Sequence, residues 1–201
     1  MNARVKMPKT KTQNGFSLPE VLIVLQIIAI LVVLALPHVT ASRRLFRFSG
    51  MQRQIATALN ETKQNAISQK LPVTFRYDDA NKRIIIYGGK FGAVGDLGNQ
   101  ITDFANTGLL ASEINYGRPS GASKAALGDG SNMDALNAGV VDITFQADGS
   151  VVDASNNPIN KALFFYDSKS QKDAAFAISV LGAGGRTKVW RYGKGVNAYV
   201  E

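Results

Sequence analysis

Apolar residues are distributed very unevenly along this chain. Residues 1–15 are polar and basic, and from Phe16 to Leu36 only Ser17, Pro19, Glu20 and Gln26 interrupt an apolar run. As a helix those 21 residues reach about 31 Å at ~1.5 Å per residue, the thickness of a hydrocarbon core of ~30 Å. Past Pro37 the pattern becomes amphipathic. Leu45, Phe48, Met51, Ile55, Leu59 and Ala66 recur at three- and four-residue steps, with Arg, Gln, Asn and Lys between them. Pro72 sets the end of the helix, because a residue before proline avoids the helical region. One long helix, kinked near Pro37, is predicted to lay its outer half across a sheet.

The rest of the chain has the composition of strands and turns. Val73–Tyr77 and Arg83–Tyr87 form a predicted hairpin around Asp78-Asp79-Ala80-Asn81-Lys82. Val140–Gln146 and a partner near Val151-Val152 flank the turn Ala147-Asp148-Gly149-Ser150, and Ala162–Tyr166, Ala174–Leu181 and Arg186–Tyr192 complete the strands. Residues 88–139 are rich in Gly, Ala, Asn and Ser and weakly patterned. They read as an insertion on the sheet, helical in part around Ile101–Leu110. The predicted organisation is a basic segment over 1–15, which the resemblance given below makes a leader, a membrane helix over 16–37, which it makes the assembly helix, an amphipathic continuation over 38–71, and an antiparallel sheet domain over 73–201.

Composition changes this picture in two respects. The formal charge of +8 owes four units to Arg4, Lys6, Lys9 and Lys11, so without residues 1–15 there remain 19 basic and 15 acidic side chains, or +4. No cysteine is present, which excludes disulfides, zinc–thiolate sites and a cysteine nucleophile. The apolar run ends in Leu36-Pro37-His38 rather than in a small-residue cleavage site, so the helix is expected to remain as an anchor. Basic residues flank it on both sides, with Arg43, Arg44, Arg47 and Arg53 downstream. The acid-free leader favours a cytoplasmic N-terminus. The arginines after the span read as a solvated or filament-packing face, and His38, the sole histidine, as an interfacial residue without a metal or catalytic partner.

Glu20 is the anomaly in the apolar run. A carboxylate in a membrane span costs roughly 2.5–3.5 kcal/mol at the centre and less near an end. Ser17-Leu18-Pro19-Glu20 has the form of a capping box, with Ser17 at the N-cap, and Pro19 is tolerated in a first turn. The alternative is that Glu20 meets a cation from another chain.

Gly15-Phe16-Ser17-Leu18-Pro19-Glu20 followed by an apolar helix resembles the type III signal of type IV prepilins and type II secretion pseudopilins. The resemblance implies an α+β pilin-like fold, with a long N-terminal helix, membrane-spanning in its first half, packed on an antiparallel sheet. It implies that prepilin peptidase cuts between Gly15 and Phe16, that Phe16 is N-methylated, and that Glu20 neutralises the terminal amine of a neighbouring subunit during assembly. Such an amine, with a pKa of about 7.7–8.0, stays largely cationic at neutral pH. Burying it paired with Glu20 costs less than burying either alone. The fifteen-residue leader is long for the family, and Pro19 replaces the usual aliphatic residue.

The order of helix, hairpin, insertion and antiparallel strands resembles the GspH/FimT group of minor pseudopilins and minor pilins. The matching stretches are Ala66–Tyr77, Ile143-Thr144-Phe145 with Asp148-Gly149, and Ala177-Ile178-Ser179-Val180 running into Gly185-Arg186. This implies filament partners, an inner-membrane location and an extracytoplasmic globular domain, with no cofactor, metal or small-molecule substrate.

An enzyme is not expected. Gly89-Lys90 and Gly193-Lys194 lack the rest of a phosphate loop, Gly182-Ala183-Gly184-Gly185 does not complete a dinucleotide fingerprint, and no serine has an evident base. Asp129, Asp134 and Asp142 are read as loop solvation. In Arg186-Thr187-Lys188-Val189-Trp190-Arg191-Tyr192, strand alternation places Arg186, Lys188, Trp190 and Tyr192 on one face and turns Thr187 and Val189 toward the core. Basic groups interleaved with aromatics can grip phosphates and stack bases. Gly185-Arg186-Thr187-Lys188 also partly resembles the Gly-Arg-x-Arg motif of FimT-like DNA receptors. Arg186, Lys188, Trp190 and Arg191 are thus candidate DNA-binding residues, set against an exposed strand with ordinary charges or a subunit contact.

Overall fold

The computed structural model describes residues 17–88, 100–104, 113–153 and 155–201, with side chains at all of these except 35–45, 100–104, 171 and 173. The chain is α+β, with one long helix and two antiparallel sheets. Helix α1 spans Leu18–Gln69. Its first part belongs to a compact unit of residues 1–43 and its second to a unit of residues 44–201.

Within the second unit, Phe48, Met51, Ile55, Leu59 and Ala66 form the buried stripe of α1, joined by Ala58 and by Thr62, whose hydroxyl donates back to the Ala58 carbonyl at 2.6 Å. The side chain of Leu45 lies outside the description. Lys70 then adopts φ 54°, which breaks the helical path three residues after Ile67, and Pro72 leads into the first strand.

Strand β1 (Val73–Asp78) lies between β2 (Arg83–Gly88) and β5 (Val140–Phe145), and β3 (Gln100–Phe104) closes the other edge of this four-stranded sheet. The predicted hairpin exists, with Val73↔Gly88 through Asp78↔Arg83 as partners. Its turn is held by Asp78, which accepts from the Asn81 backbone at 3.1 Å and side-chain amide at 2.7 Å. Residues 100–104 are a strand, where Ile101–Leu110 had a helical expectation. Ile84↔Phe104 pairing along β2 outweighs a weak local helical preference, and residues 105–110 lie outside the description.

The second sheet has the order β4-β6-β7-β8-β9: β4 (Ile114–Tyr116), β6 (Lys161–Asp167), β7 (Gln171–Leu181), β8 (Arg186–Gly193) and β9 (Ala198–Val200). Val151 and Val152 make isolated bridges to Phe145 and Pro158 rather than a strand. The main core draws on both sheets and on α1. Phe75 and Tyr77 of β1, Ile143 and Phe145 of β5, Phe165 of β6 and Phe176 of β7 meet the helix stripe there. Phe48 and Phe176 pack edge to face with ring centroids 5.0 Å apart.

Candidate functional site

The N-terminal helix begins as its sequence demands. The Ser17 carbonyl accepts from the Glu20 N–H at 3.0 Å and the Val21 N–H at 3.2 Å, which makes Ser17 the residue that closes the helix start. Pro19 sits in the first turn, where its missing N–H costs nothing, and Glu20 is the acidic residue of that turn, next to the positive end of the helix dipole. Every side chain from Ser17 to Leu34 is exposed, the aliphatic ones on all sides of the helix. Water does not favour such a surface, so this segment is built to be covered by lipid or by other chains. Gly15 and Phe16 lie outside the described residues. Among the described residues no helix is long and apolar enough to cross a membrane. The apolar run itself extends past the described side chains, from Phe16 to Leu36.

In the C-terminal tract the predicted alternation is present, but what faces each side differs from expectation. Val189 packs against the main core as predicted. The opposite face is a second core rather than an open surface. Leu127, Ala162, Phe164, Ala177, Trp190 and Tyr199 form it, with Tyr192 packed on its border. Trp190 is 5% exposed and its indole N–H donates to Ser179 Oγ at 2.8 Å, while that hydroxyl donates to Asp129. Gly128 lies flat on the indole, since a Cβ there would stand 3.2 Å from its ring carbons. Trp190 therefore has no face free to stack on a base. Strand alternation tells which side a residue takes, and it carries no information on what covers that side. Here the cover comes from the weakly patterned insertion.

The cations of the tract are also separated. Lys188 lies 5.3 Å over the Trp190 ring and pairs with Glu201 at 2.8 Å. Arg186 is exposed on the same side, and it makes no side-chain hydrogen bond or ion pair with any described residue. Arg191 points to the other side, into a groove with Phe48, Gln52 and Phe176. The four candidates do not form one surface. Gly185, which heads the partial Gly-Arg-x-Arg match, has a structural duty of its own: it adopts φ 55°, and a Cβ on it would lie 2.1 Å from the Gly149 carbonyl oxygen.

The three acids expected to solvate loops are structural instead. Asp142 takes a bidentate hydrogen bond from Arg76 at 2.7 and 2.6 Å, with only 5% and 13% of the two side chains exposed. Asp134 pairs with Lys161 at 2.8 Å and caps the Ala162 N–H at 2.8 Å. Burial raises the Asp134 carboxyl above its ordinary range, and the Lys161 and Ala162 contacts offset this only in part. Burial also acts on Asp129, but hydrogen bonds from Ser179 and the Ser131 N–H outweigh it and hold that carboxyl below the usual range. Apart from the Ser131 N–H, these partners come from parts of the chain 27 to 66 residues away, which leaves no local signal in the sequence.

Residues 10–36 match the model of the prokaryotic N-terminal methylation motif, a stretch that includes Gly15, Phe16, Glu20 and the apolar run. The chain carries the N-terminal methylation motif of prepilin-like proteins. Two crystal structures of the type IV minor pilin FimU of Pseudomonas aeruginosa strain PAO1 are similar to it. One is 13% identical, with 71% of this chain and 87% of that chain covered at a TM-score of 0.48. The other is 14% identical, with 70% and 90% covered at a TM-score of 0.44. No curated protein matches the sequence significantly. The motif implies processing by prepilin peptidase and assembly with other pilins.

Proposed function

We propose that this chain is a minor pseudopilin of a type II protein secretion system, of the GspH kind. It sits in the inner membrane through residues 16–37, N-terminus in the cytoplasm and sheet domain in the periplasm. It is cut between Gly15 and Phe16, methylated on Phe16, and assembled at the tip of a pseudopilus without enzymatic activity of its own. The observation that carries this reading is a helix exposed and apolar all round with a single carboxylate in its first turn, in register with the methylation motif. Such a carboxylate is tolerable in lipid or in a filament core when a cation meets it, and the amine freed at Phe16 is that cation.

Mass spectrometry of the mature protein is expected to find methylated Phe16 as the first residue, and an uncut Met1 would refute processing. Glu20→Ala is expected to be cut normally, yet to fall at least about tenfold in sheared filaments, the loss that an unpaired buried amine of a few kcal/mol entails. Normal incorporation of this variant would return Glu20 to a purely local role at the helix start.

A second reading, a FimT-like minor pilin that takes up DNA, draws on one observation: exposed Arg186, with no polar partner among the described residues, beside Lys188. With Trp190 buried, binding would be electrostatic and would weaken steeply with salt. A gel shift with the processed full-length chain in detergent tests it, and an Arg186→Ala, Lys188→Ala pair should then reduce the salt slope by about two. No shift at low salt ends this second reading. A deletion strain that loses exoprotein secretion supports the first reading, and one that loses transformation supports the second.

A further inference from the structure

The core-side face of the second sheet is not covered to its edge. Phe176 of β7, Arg191 of β8 and Val200 of β9 lie in one row across three neighbouring strands. Helix α1 covers the first of them through Phe48. Beyond it Arg191 is exposed, Val200 is 46% exposed and Val196 65%. Both valines converge on Gly193, where a Cβ would stand 3.0 Å from Val196 Cγ2 and 3.8 Å from Val200 Cγ2. Beside this valine strip, Ser49 and Gln52 on the flank of α1 and Arg191 of β8 border a groove of about 290 Å³ over a floor that includes Ala174 and Phe176. All of these residues belong to the unit of residues 44–201.

We propose that this groove seats an amphipathic helix of a different pilin-like subunit, which places a carboxylate on Arg191 and aliphatic side chains on Val196 and Val200. The uncovered strip is two strand spacings wide, about 10 Å, and a helix with its side chains is about 10–12 Å across. Arg191 makes no side-chain hydrogen bond or ion pair with any described residue, and an exposed guanidinium at the border of an aromatic-floored groove takes a carboxylate in bidentate fashion. Charge decides against a second copy presenting the same helix surface. From Arg47 to Gln69, α1 carries Arg47, Arg53 and Lys63 against the single acid Glu61, so it would bring like charge to Arg191. The inference rests on the chain being a filament subunit.

The test places a photocrosslinking amino acid at Gln52, and separately at Leu25 on the N-terminal helix, in the full-length chain in the cells that make it. Gln52 is expected to cross-link to another pilin-like chain, at a helical peptide that contains Asp or Glu and is identified by mass spectrometry. Arg191→Glu should cut that adduct roughly tenfold or more, with Leu25 adducts retained. Lys169→Glu, an exposed turn cation, should leave it unchanged. Reversing the identified acid to Arg should restore the adduct to Arg191→Glu. The proposal is overturned if Gln52 is silent or marks only a second copy while Leu25 cross-links, or if Arg191→Glu leaves the adduct intact. Silence at both positions would defeat the filament reading itself, and this proposal with it.

Discussion

Gly185→Ala is expected to destabilise the sheet domain by about 3–5 kcal/mol, lowering its melting temperature by roughly 10 °C or more. Two causes add. The residue sits at φ 55°, a conformation that costs an L side chain about 1–2 kcal/mol. The added methyl would also stand 2.1 Å from the Gly149 carbonyl oxygen, and since both groups are backbone neither can swing aside. This close approach brings the β7–β8 turn against the turn after β5, near the point where Lys63 of α1 donates to the Gly184 carbonyl at 2.8 Å. Gly184→Ala is the internal control, because a Cβ there meets nothing within 4 Å. It should change stability by no more than about 0.5 kcal/mol. If thermal melts show Gly185→Ala within about 2 °C of the parent, the two turns are not in the contact described.

Trp190→Ala is expected to cost a similar amount, about 3–5 kcal/mol. The indole fills the centre of the second core, so its removal opens a cavity beneath Leu127 and Gly128 and strips Ser179 Oγ of its donor. Trp190→Phe keeps most of the ring and should lose only about 1–2 kcal/mol through the unmade hydrogen bond. Trp190 is the only tryptophan in the chain, so both variants lose its fluorescence and their unfolding is followed by circular dichroism. Urea unfolding that left the midpoint of Trp190→Ala unchanged would show that the ring carries no packing. The result matters for function. An alanine variant at this position that lost DNA binding would be reporting a damaged domain, whereas loss in Arg186→Ala with an unchanged melt would report a lost contact.

Some elements could be read from the sequence because their cause is local. The steps of three, four and seven residues between Phe48, Met51, Ile55, Leu59 and Ala66 place one side of α1 against the sheets, and all five are buried there. The hairpin of β1 and β2 follows from two short apolar runs about a turn-forming Asp78–Lys82 segment. Other elements had no such signal. β4 and β9 are three residues long, too short for a periodic pattern, and each exists by pairing with a longer strand, β6 or β8. β3 is a strand because β2 offers it a register, against a local expectation of helix.

The candidate site divides in the same way. Gly15, Phe16, Glu20 and the apolar run lie together in one contiguous stretch, and a motif of this kind is read from the local sequence. The methylation motif over residues 10–36 was therefore legible in the sequence alone. Whether Trp190 is free, what borders Arg191, and whether Asp129, Asp134 and Asp142 meet water are questions about neighbours 27 to 66 residues away or more. Only the tertiary structure decides these, because burial and pairing depend on what covers a strand face. At β8 the cover on one side is Leu127 with Gly128, and on the other α1 stops one strand short of Arg191.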